Sequence, residues 1–577
     1  MLHEVLESAL RQAVLAVIPD AQTQALLVRP TTDPQFGDYQ CNALMNVAKA
    51  RKMNPRQLAT DVRAKLDVAQ WCDTVEVAGP GFLNFHLKPE ALGQALMDAA
   101  QGKNLFFTPA EKPRTIVVDF SSPNVAKAMH VGHIRSTILG DCLTRTLRLL
   151  GHKVITDNHL GDWGTQFGKL LVGWKERLDS TALSHEPLSE LERLYKEVHA
   201  ASEQDPAVLD RARQELVKLQ NGDPENLRIW QQMIRISRQS FDRIYHRLGV
   251  KFDHTLGESF YNPLLKDVVA DLQQKGIATE SEGALVAFFE GEADAELKGT
   301  PAIIQKRDGA ANYTTTDLAT LQHRLKEWNP QEIVYVTDSR QQLHFKQLFA
   351  IFRRWHPEAD VRLAHVWFGM ILRDDGKPFK TKSGENIKLS ELLDEAEERA
   401  LAVVTEKNPD WPEADRREAA RIIGLGSIKY SDLLPNRQSD YVFSWEKMLA
   451  LNGNTAPYLL YAYTRIRSIF RKGASAEAET KFETTGFVLR APEELRLAKH
   501  LLNFGLSLQS VADEYRPNYL CNYLYDLAGY FAQFYEACPV LKAEGDERAT
   551  RLGLLKLTGD VLKTGLNTLG LETIERM

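Results

Sequence analysis

Between Thr115 and Asn158 the sequence admits little besides one right-handed crossover. Thr115–Phe120 (TIVVDF) is a nearly unbroken apolar and β-branched run, the pattern of a strand buried on both faces. The loop Ser121-Ser122-Pro123-Asn124 follows. Next come Ile134, Ile138, Cys142, Leu143, Leu147 and Leu150 at helical spacing, with Gly151 as the stop. Lys153–Asn158 (KVITDN) is a second strand. Strand, helix and strand make a βαβ unit, so the two strands lie parallel and the crossover is right-handed. Sheet-like segments return at Ala284–Phe289, Ala302–Lys306, Glu332–Thr337 and Leu363–Ile371, alternating with helices such as Leu318–Trp328 and Gln341–Trp355. This order predicts an α/β fold, a doubly wound parallel sheet interrupted by a helical insertion at about 172–300.

A chain of 577 residues exceeds what one core supports, and about three to five units are expected. The N-terminal part reads as α+β. Leu2, Leu6, Leu10, Val14 and Val17 mark an amphipathic helix carrying Glu4 and Glu7, which is not a targeting peptide. Thr32-Asp33-Pro34 makes a turn and Met53-Asn54-Pro55 opens a helix. Thr74–Ala78 and Phe82–Leu87 are strands around Gly79-Pro80-Gly81, and Gly102 to Pro113 is a linker. From about Leu389 onward the pattern is almost wholly helical, with a connection at Val403 to Pro412. The expected division is 1–108, an N-terminal additional domain; 109–388, the sheet domain; 389–453, a helical connection; and 454–577, a helical bundle.

Hydrophobic residues make up 44% and charged residues 26%, which excludes a disordered chain or a disulfide scaffold. Cys41, Cys72, Cys142, Cys521 and Cys538 lie far apart with no C-x-x-C, so a reducing, cytoplasmic setting is expected and no resident metal. No run approaches the ~18 apolar residues of a membrane span, so no membrane partner is expected. With 71 Lys+Arg against 77 Asp+Glu the net charge is -6, the balance of a mildly acidic enzyme and a weak argument against nucleic acid.

There is no G-x-x-x-x-G-K-[ST]. Gly79-Pro80-Gly81 and Gly424-Leu425-Gly426 do not extend to G-x-G-x-x-G, so P-loop NTPases and ordinary dinucleotide dehydrogenases drop out. His130-Val131-Gly132-His133 remains, placed where the first strand hands over to its helix. A helix N-terminus attracts phosphate through its unpaired N–H groups and dipole. Gly132 lets a nucleotide approach the backbone. Histidines three apart can both donate to phosphate oxygens as charge shifts in the transition state.

Pro123-Asn124-Val125-Ala126-Lys127-Ala128-Met129-His130-Val131-Gly132-His133 resembles the "HIGH" region of class I aminoacyl-tRNA synthetases, in its arginyl form. Arg135-Ser136-Thr137, Gly161-Asp162-Trp163-Gly164-Thr165-Gln166-Phe167-Gly168, Tyr313-Thr314-Thr315-Thr316-Asp317 and Asn454-Thr455-Ala456-Pro457-Tyr458 are similar to the same family. The resemblance runs from about Gly37 to the C-terminus. It implies a Rossmann-like catalytic domain, an N-terminal domain at the tRNA D-loop corner and an anticodon-binding bundle. It further implies activation of L-arginine with ATP as substrate (Mg²⁺ carried with it), then transfer to the 3′-terminal adenosine of tRNA(Arg) by a monomer.

An amino-acid carboxylate is ionised at neutral pH, so its attack on the α-phosphorus needs no general base, and catalysis rests on positioning and charge neutralisation. The resemblance implies ATP contacts at Pro123, His130, Gly132, His133, Gly369 and Met370. The family's second signature, KMSKS, is absent. Its counterpart is Lys377-Pro378-Phe379-Lys380-Thr381-Lys382-Ser383-Gly384, so Lys380 and Lys382 join His130 and His133 as catalytic candidates, with Lys127 upstream of the histidines. A guanidinium calls for carboxylates. Asp119 ends the first strand, and Tyr313 and Asp317 are one helical turn apart. By resemblance Asp119, Asn124, Tyr313, Asp317 and Gln341 line the arginine pocket. Tyr458, Tyr461 and Arg465 share one side of a helix, a face suited to stacking tRNA bases, while Leu459, Ala462, Ile466 and Phe470 face a core.

Two other readings stay open on residues alone. A different H-x-G-H adenylyltransferase is commonly shorter and lacks the helical C-terminal part. A non-catalytic relative kept for RNA binding is expected to have lost its histidines, lysines or pocket carboxylates, and none is missing.

Overall fold

A computed structural model describes residues 1–31, 33–292, 294–379, 387–473 and 486–577. At its centre four parallel strands form one sheet: β1 (Thr115–Phe120), β2 (Lys153–Asp157), β3 (Glu332–Val336) and β4 (Arg362–His365). Their spatial order is β4-β3-β1-β2. The chain leaves β1 toward β2 on one side and returns through β3 to β4 on the other. The order therefore reverses between β1 and β3, and in such sheets the crevice outside the strand ends at that point takes the ligand.

Burial explains the strand sequences. Ile116, Val117, Val118, Ile333 and Val334 are fully buried, so neither face of β1 or β3 alternates. The expected helix between β1 and β2 forms over Ile134–Leu149, and Gly151 after it sits at φ +86, where a side chain is strained. Gly140 on this helix presses on β1, because a Cβ there would lie 2.1 Å from Phe120 Cγ. Gly140→Ala is expected to destabilise the fold by about 1–3 kcal/mol through overpacking, read as a lower urea midpoint at unchanged slope. A midpoint equal to wild type would show that the helix backs away without cost.

The N-terminal unit is as expected in type. Helix Leu2–Val17 buries Leu6, Leu10 and Val14. It joins a sheet in which Phe82–Leu87 pairs antiparallel with both Tyr39–Cys41 and Cys72–Ala78. Asn54 caps helix Pro55–Lys65 by accepting from the N–H groups of Arg56 and Gln57. The turn expected at Thr32-Asp33-Pro34 includes Thr32, which lies outside the described residues, and a 3₁₀ turn spans Pro34–Phe36.

Three expectations need correction. Ala284–Ala287 and Ala302–Gln305 do not enter the parallel sheet. With Thr279–Ser281 they form a separate antiparallel one, so the insertion is not purely helical. The apolar content of these short strands looks the same from sequence in either sheet. The single strand expected at Leu363–Ile371 is broken: β4 ends at His365, and Ile371–Leu372 pairs with Tyr441–Val442 inside the region read as helical. The connection expected from Val403 begins later, because helix Leu389–Lys407 continues to Lys407 before Glu413–Leu433 starts. Beyond these, helices Ala456–Gly473, Pro492–Leu501, Phe504–Glu514, Asn518–Ala537 and Gly545–Thr568 make the C-terminal bundle.

Candidate active site

The loop leaving β1 carries unusual backbone. Ser121, Ser122 and Ala126 have φ of 73°, 47° and 62°, a left-handed conformation that costs non-glycine residues energy and persists only when surroundings enforce it. Here they do. Ser121 N–H donates to Ser136 Oγ at 2.8 Å, and Ser136 in turn donates to the Val336 carbonyl. Ser121 Oγ meets Thr137 Oγ1 and the Tyr245 hydroxyl, both at 2.8 Å, and Ser122 N–H donates to Asn158 Oδ1 at 3.0 Å. Arg135, fully buried one residue beyond His133 and Ile134, donates to the Gly369 carbonyl at 2.8 Å and pairs with Asp432 at 2.9 Å. It thereby ties the helix start to the segment after β4. Gly369 has no room for a side chain, since a Cβ would lie 2.6 Å from Asp440 Oδ1, and Met370 beside it is exposed.

Val131–His133 is a 3₁₀ turn that leads directly into helix Ile134–Leu149. The His130 and His133 rings lie 4.1 Å apart. His130 N–H donates to His133 Nδ1 at 3.1 Å, and Gly132 N–H donates to His130 Nδ1 at 3.0 Å. An Nδ1 that accepts carries no proton, so both imidazoles hold theirs on Nε2. Burial, reinforced by neighbouring His130, lowers the His133 pKa to about 3. It is a neutral donor at neutral pH. A Cβ on Gly132 would stand 2.8 Å from His130 Cε1, so glycine keeps this ring arrangement possible.

The stretch after the lysine-rich segment is bound to the histidine segment. Val131 N–H donates to the Ile387 carbonyl and Leu389 N–H to the Met129 carbonyl, with His130 and Lys388 bridged between them. Before that segment, Phe379 N–H donates to the Ile371 carbonyl. Lys380 and Lys382 themselves lie outside the described residues. Lys127 is exposed, its ammonium 5.3 Å from the centre of the Tyr195 ring.

Of the expected arginine-pocket residues, Asp119 lies near the end of β1, Asn124 in the loop after it and Gln341 after β3. Tyr313 and Asp317 stand in the first two turns of helix Tyr313–Trp328. Asp317 Oδ2 lies 2.6 Å from His344 Nε2, and the half-exposed Tyr313 ring packs on His344 at 4.8 Å. Asn124 is exposed and bridged to Gly161, where a Cβ would meet Asn124 Oδ1 at 2.1 Å. Pro123 is buried beside it, its carbonyl accepting from Gly161 N–H. Gln341 is exposed just before helix Gln342–Trp355. Asp119 is different: it is buried, and its Oδ2 accepts from the chain's own Arg324 at 2.6 Å.

Sequence reading passes over Glu258. It opens the short helix Glu258–Tyr261 after Gly257, where a Cβ would collide with the Asp162 carboxylate. Burial, with the negative charges of Asp162 and Asp317 adding to it, raises the Glu258 pKa to about 7. Asp162 in turn accepts from Ser259 through both oxygens, at 2.8 and 2.7 Å. The Asp317 charge thus acts on Glu258 across the chain. The only sequence signal for Glu258 is an acid after a glycine within the insertion.

On the C-terminal bundle, Leu459, Ala462, Ile466 and Phe470 are buried as expected. Tyr461 is exposed and accepts from Arg465 at 2.9 Å. The Arg465 guanidinium also lies 4.6 Å from the centre of the Tyr535 ring, and Tyr458 lies 5.6 Å from Tyr525.

Three family descriptions match successive parts of the chain. Residues 94–445 match tRNA synthetases class I (R), catalytic domain; 459–577 the DALR anticodon binding domain; and 2–87 the arginyl tRNA synthetase N terminal domain. The chain is 45% identical to an arginine–tRNA ligase of Chromobacterium violaceum and 46% identical to one of Escherichia coli, each over 100% of both chains. It is similar to the solved arginyl-tRNA synthetase of Plasmodium falciparum, with TM-score 0.84 and 29% identity over 100% of this chain and 99% of that one. The Thermus thermophilus arginyl-tRNA synthetase gives TM-score 0.82 and 26% identity over 100% of both. With every part of its architecture matched in order, this chain belongs to the arginyl-tRNA synthetase family.

Proposed function

We infer that this chain is an arginine–tRNA ligase. It joins the carboxylate of L-arginine to the α-phosphorus of ATP with release of diphosphate. The arginyl group then passes from the adenylate to a hydroxyl of the 3′-terminal adenosine of tRNA(Arg), with release of AMP. The observation that carries this reading is the pair of Nε2–H imidazoles at the helix start after β1, together with Asp317 held by His344 near the start of the helix that leads into β3. His130 and His133 donate to phosphate oxygens as negative charge shifts onto the leaving diphosphate. Tyr313, Asp317 and Glu258 receive the guanidinium, with Asn124 and Gln341 at the amino-acid head group. Pro123, Gly132, Gly369 and Met370 line the nucleotide, and Lys127, Lys380 and Lys382 add positive charge toward its phosphates.

ATP arrives with Mg²⁺ on its phosphates. The division at 1–108, 109–388, 389–453 and 454–577 assigns tRNA contact to the first and last parts, with Tyr458, Tyr461 and Arg465 in the anticodon face. The enzyme works as a cytoplasmic monomer. Among the described residues no helix is long and apolar enough to cross a membrane.

The test is ATP–pyrophosphate exchange against all amino acids, with and without tRNA. Exchange is expected with arginine only, and only when tRNA is present. Equal exchange with lysine or glutamine would overturn the arginine assignment.

A further inference from the structure

Asp119, next to last in β1, and Asp157, last in β2, are partners in register, so two carboxylates stand on neighbouring strands at the sheet end. Like charges directly opposite on neighbouring strands repel. Arg324, fully buried on helix Tyr313–Trp328, answers both: its Nη2 donates to Asp119 Oδ2 at 2.6 Å and to Asp157 Oδ2 at 2.8 Å. The guanidinium also lies 5.3 Å from the centre of the Tyr335 ring, on β3. One side chain therefore joins its helix to the ends of β1 and β2 beside β3.

Two consequences bear on arginine recognition. Arg324 stands seven residues after Asp317, two helical turns along the same face, so its anchorage sets where Asp317 and Tyr313 stand relative to the sheet. Asp119 Oδ1 also accepts from Ser122 Oγ at 3.1 Å, in the strained loop that leads to the histidine segment. The clamp thus links the amino-acid side of the crevice to the nucleotide side. Arg324 moreover carries the same chemical group as the substrate. Without it, two strand-end carboxylates would compete with Asp317 and Glu258 for the incoming guanidinium.

We propose that Arg324 is a positioning and specificity-determining residue for arginine: an internal guanidinium that occupies Asp119 and Asp157 and leaves the substrate guanidinium to Asp317 and Glu258. The proposal rests on the arginine-binding reading above. It goes beyond it in assigning Asp119 to the chain rather than to the substrate.

The experiment measures the KM for arginine and for ATP separately, by exchange with tRNA present, in wild type, Arg324→Gln and Arg324→Lys. Arg324→Gln is expected to raise the arginine KM by about tenfold or more at a nearly unchanged ATP KM, while Arg324→Lys restores much of the loss by keeping the charge. If Arg324→Gln does not fold, the double variant Asp157→Asn/Arg324→Gln removes one of the opposed carboxylates and is expected to show the same arginine-specific rise. A folded variant with wild-type arginine KM overturns the proposal. So does an equal rise in both KM values, the signature of general loosening. Wild-type enzyme lacking arginine-dependent exchange overturns the functional reading itself, before any variant is compared.

Discussion

Replacing His133 by alanine is expected to lower turnover about 10²–10³-fold while changing the KM for arginine far less. The side chain is a neutral donor whose tautomer is set by its neighbour: His130 N–H occupies His133 Nδ1, so the proton sits on Nε2. Such a preorganised donor acts on charge that develops on the phosphates, and removal costs transition-state stabilisation rather than ground-state binding. Because burial lowers the His133 pKa to about 3, its titration adds no inflection to the rate near neutral pH. The sign for stability is also defined. Between the ordinary histidine range and that lowered value the unfolded chain takes up the proton and the folded chain does not, so the contribution is present at neutral pH and is lost as the solution is acidified. Exchange and aminoacylation rates of His133→Ala check the first point, and a turnover within a few-fold of wild type would remove His133 from the phosphate site.

Arginine affinity is expected to fall steeply when Asp317 loses its charge. Asp317→Asn keeps a hydrogen-bond partner for His344, at 2.6 Å in the wild type, so the fold should survive. Losing a charged partner for a guanidinium costs about 2–3 kcal/mol, roughly 30- to 150-fold in KM. Glu258 is expected to supply a second, pH-dependent part. With its pKa raised to about 7 by burial and by the charges of Asp162 and Asp317, it is largely protonated in mildly acidic solution. A guanidinium favours the ionised form, so arginine binding releases a proton and the KM falls as pH rises through that range. Below it the KM should approach a tenfold increase per pH unit, about 1.4 kcal/mol each. Glu258→Gln should raise the KM and flatten this profile. A slope that persists in Glu258→Gln would assign the titration to another group.

The catalytic crossover is legible in the sequence because its determinants are local. The apolar run of β1, the helical spacing from Ile134 and the stop at Gly151 lie within forty residues, and each acts on its own neighbours. The shared helical position of Tyr313 and Asp317 is legible for the same reason, the two being one turn apart. Sheet membership was not: Ala284–Ala287 and Ala302–Gln305 carry apolar residues that suit either sheet, and only the packing partners distinguish them. The net charge of -6 also misled, since it averages over the whole of a chain whose C-terminal part matches an anticodon binding domain. A tRNA ligase needs basic faces in particular places, not a basic mean.

The sequence by itself determined the class of the catalytic fold, the H-x-G-H turn at its switch point and the family to which its motifs point. The tertiary structure decided which carboxylates an internal guanidinium already holds. Arg324 lies 205 residues from Asp119 and 167 from Asp157, and Glu258, inside the insertion, is acted on by the charge of Asp317. Charge pairing depends on distance in space and falls off within a few ångströms. No spacing along the chain distinguishes a carboxylate open to substrate from one already held by an internal guanidinium.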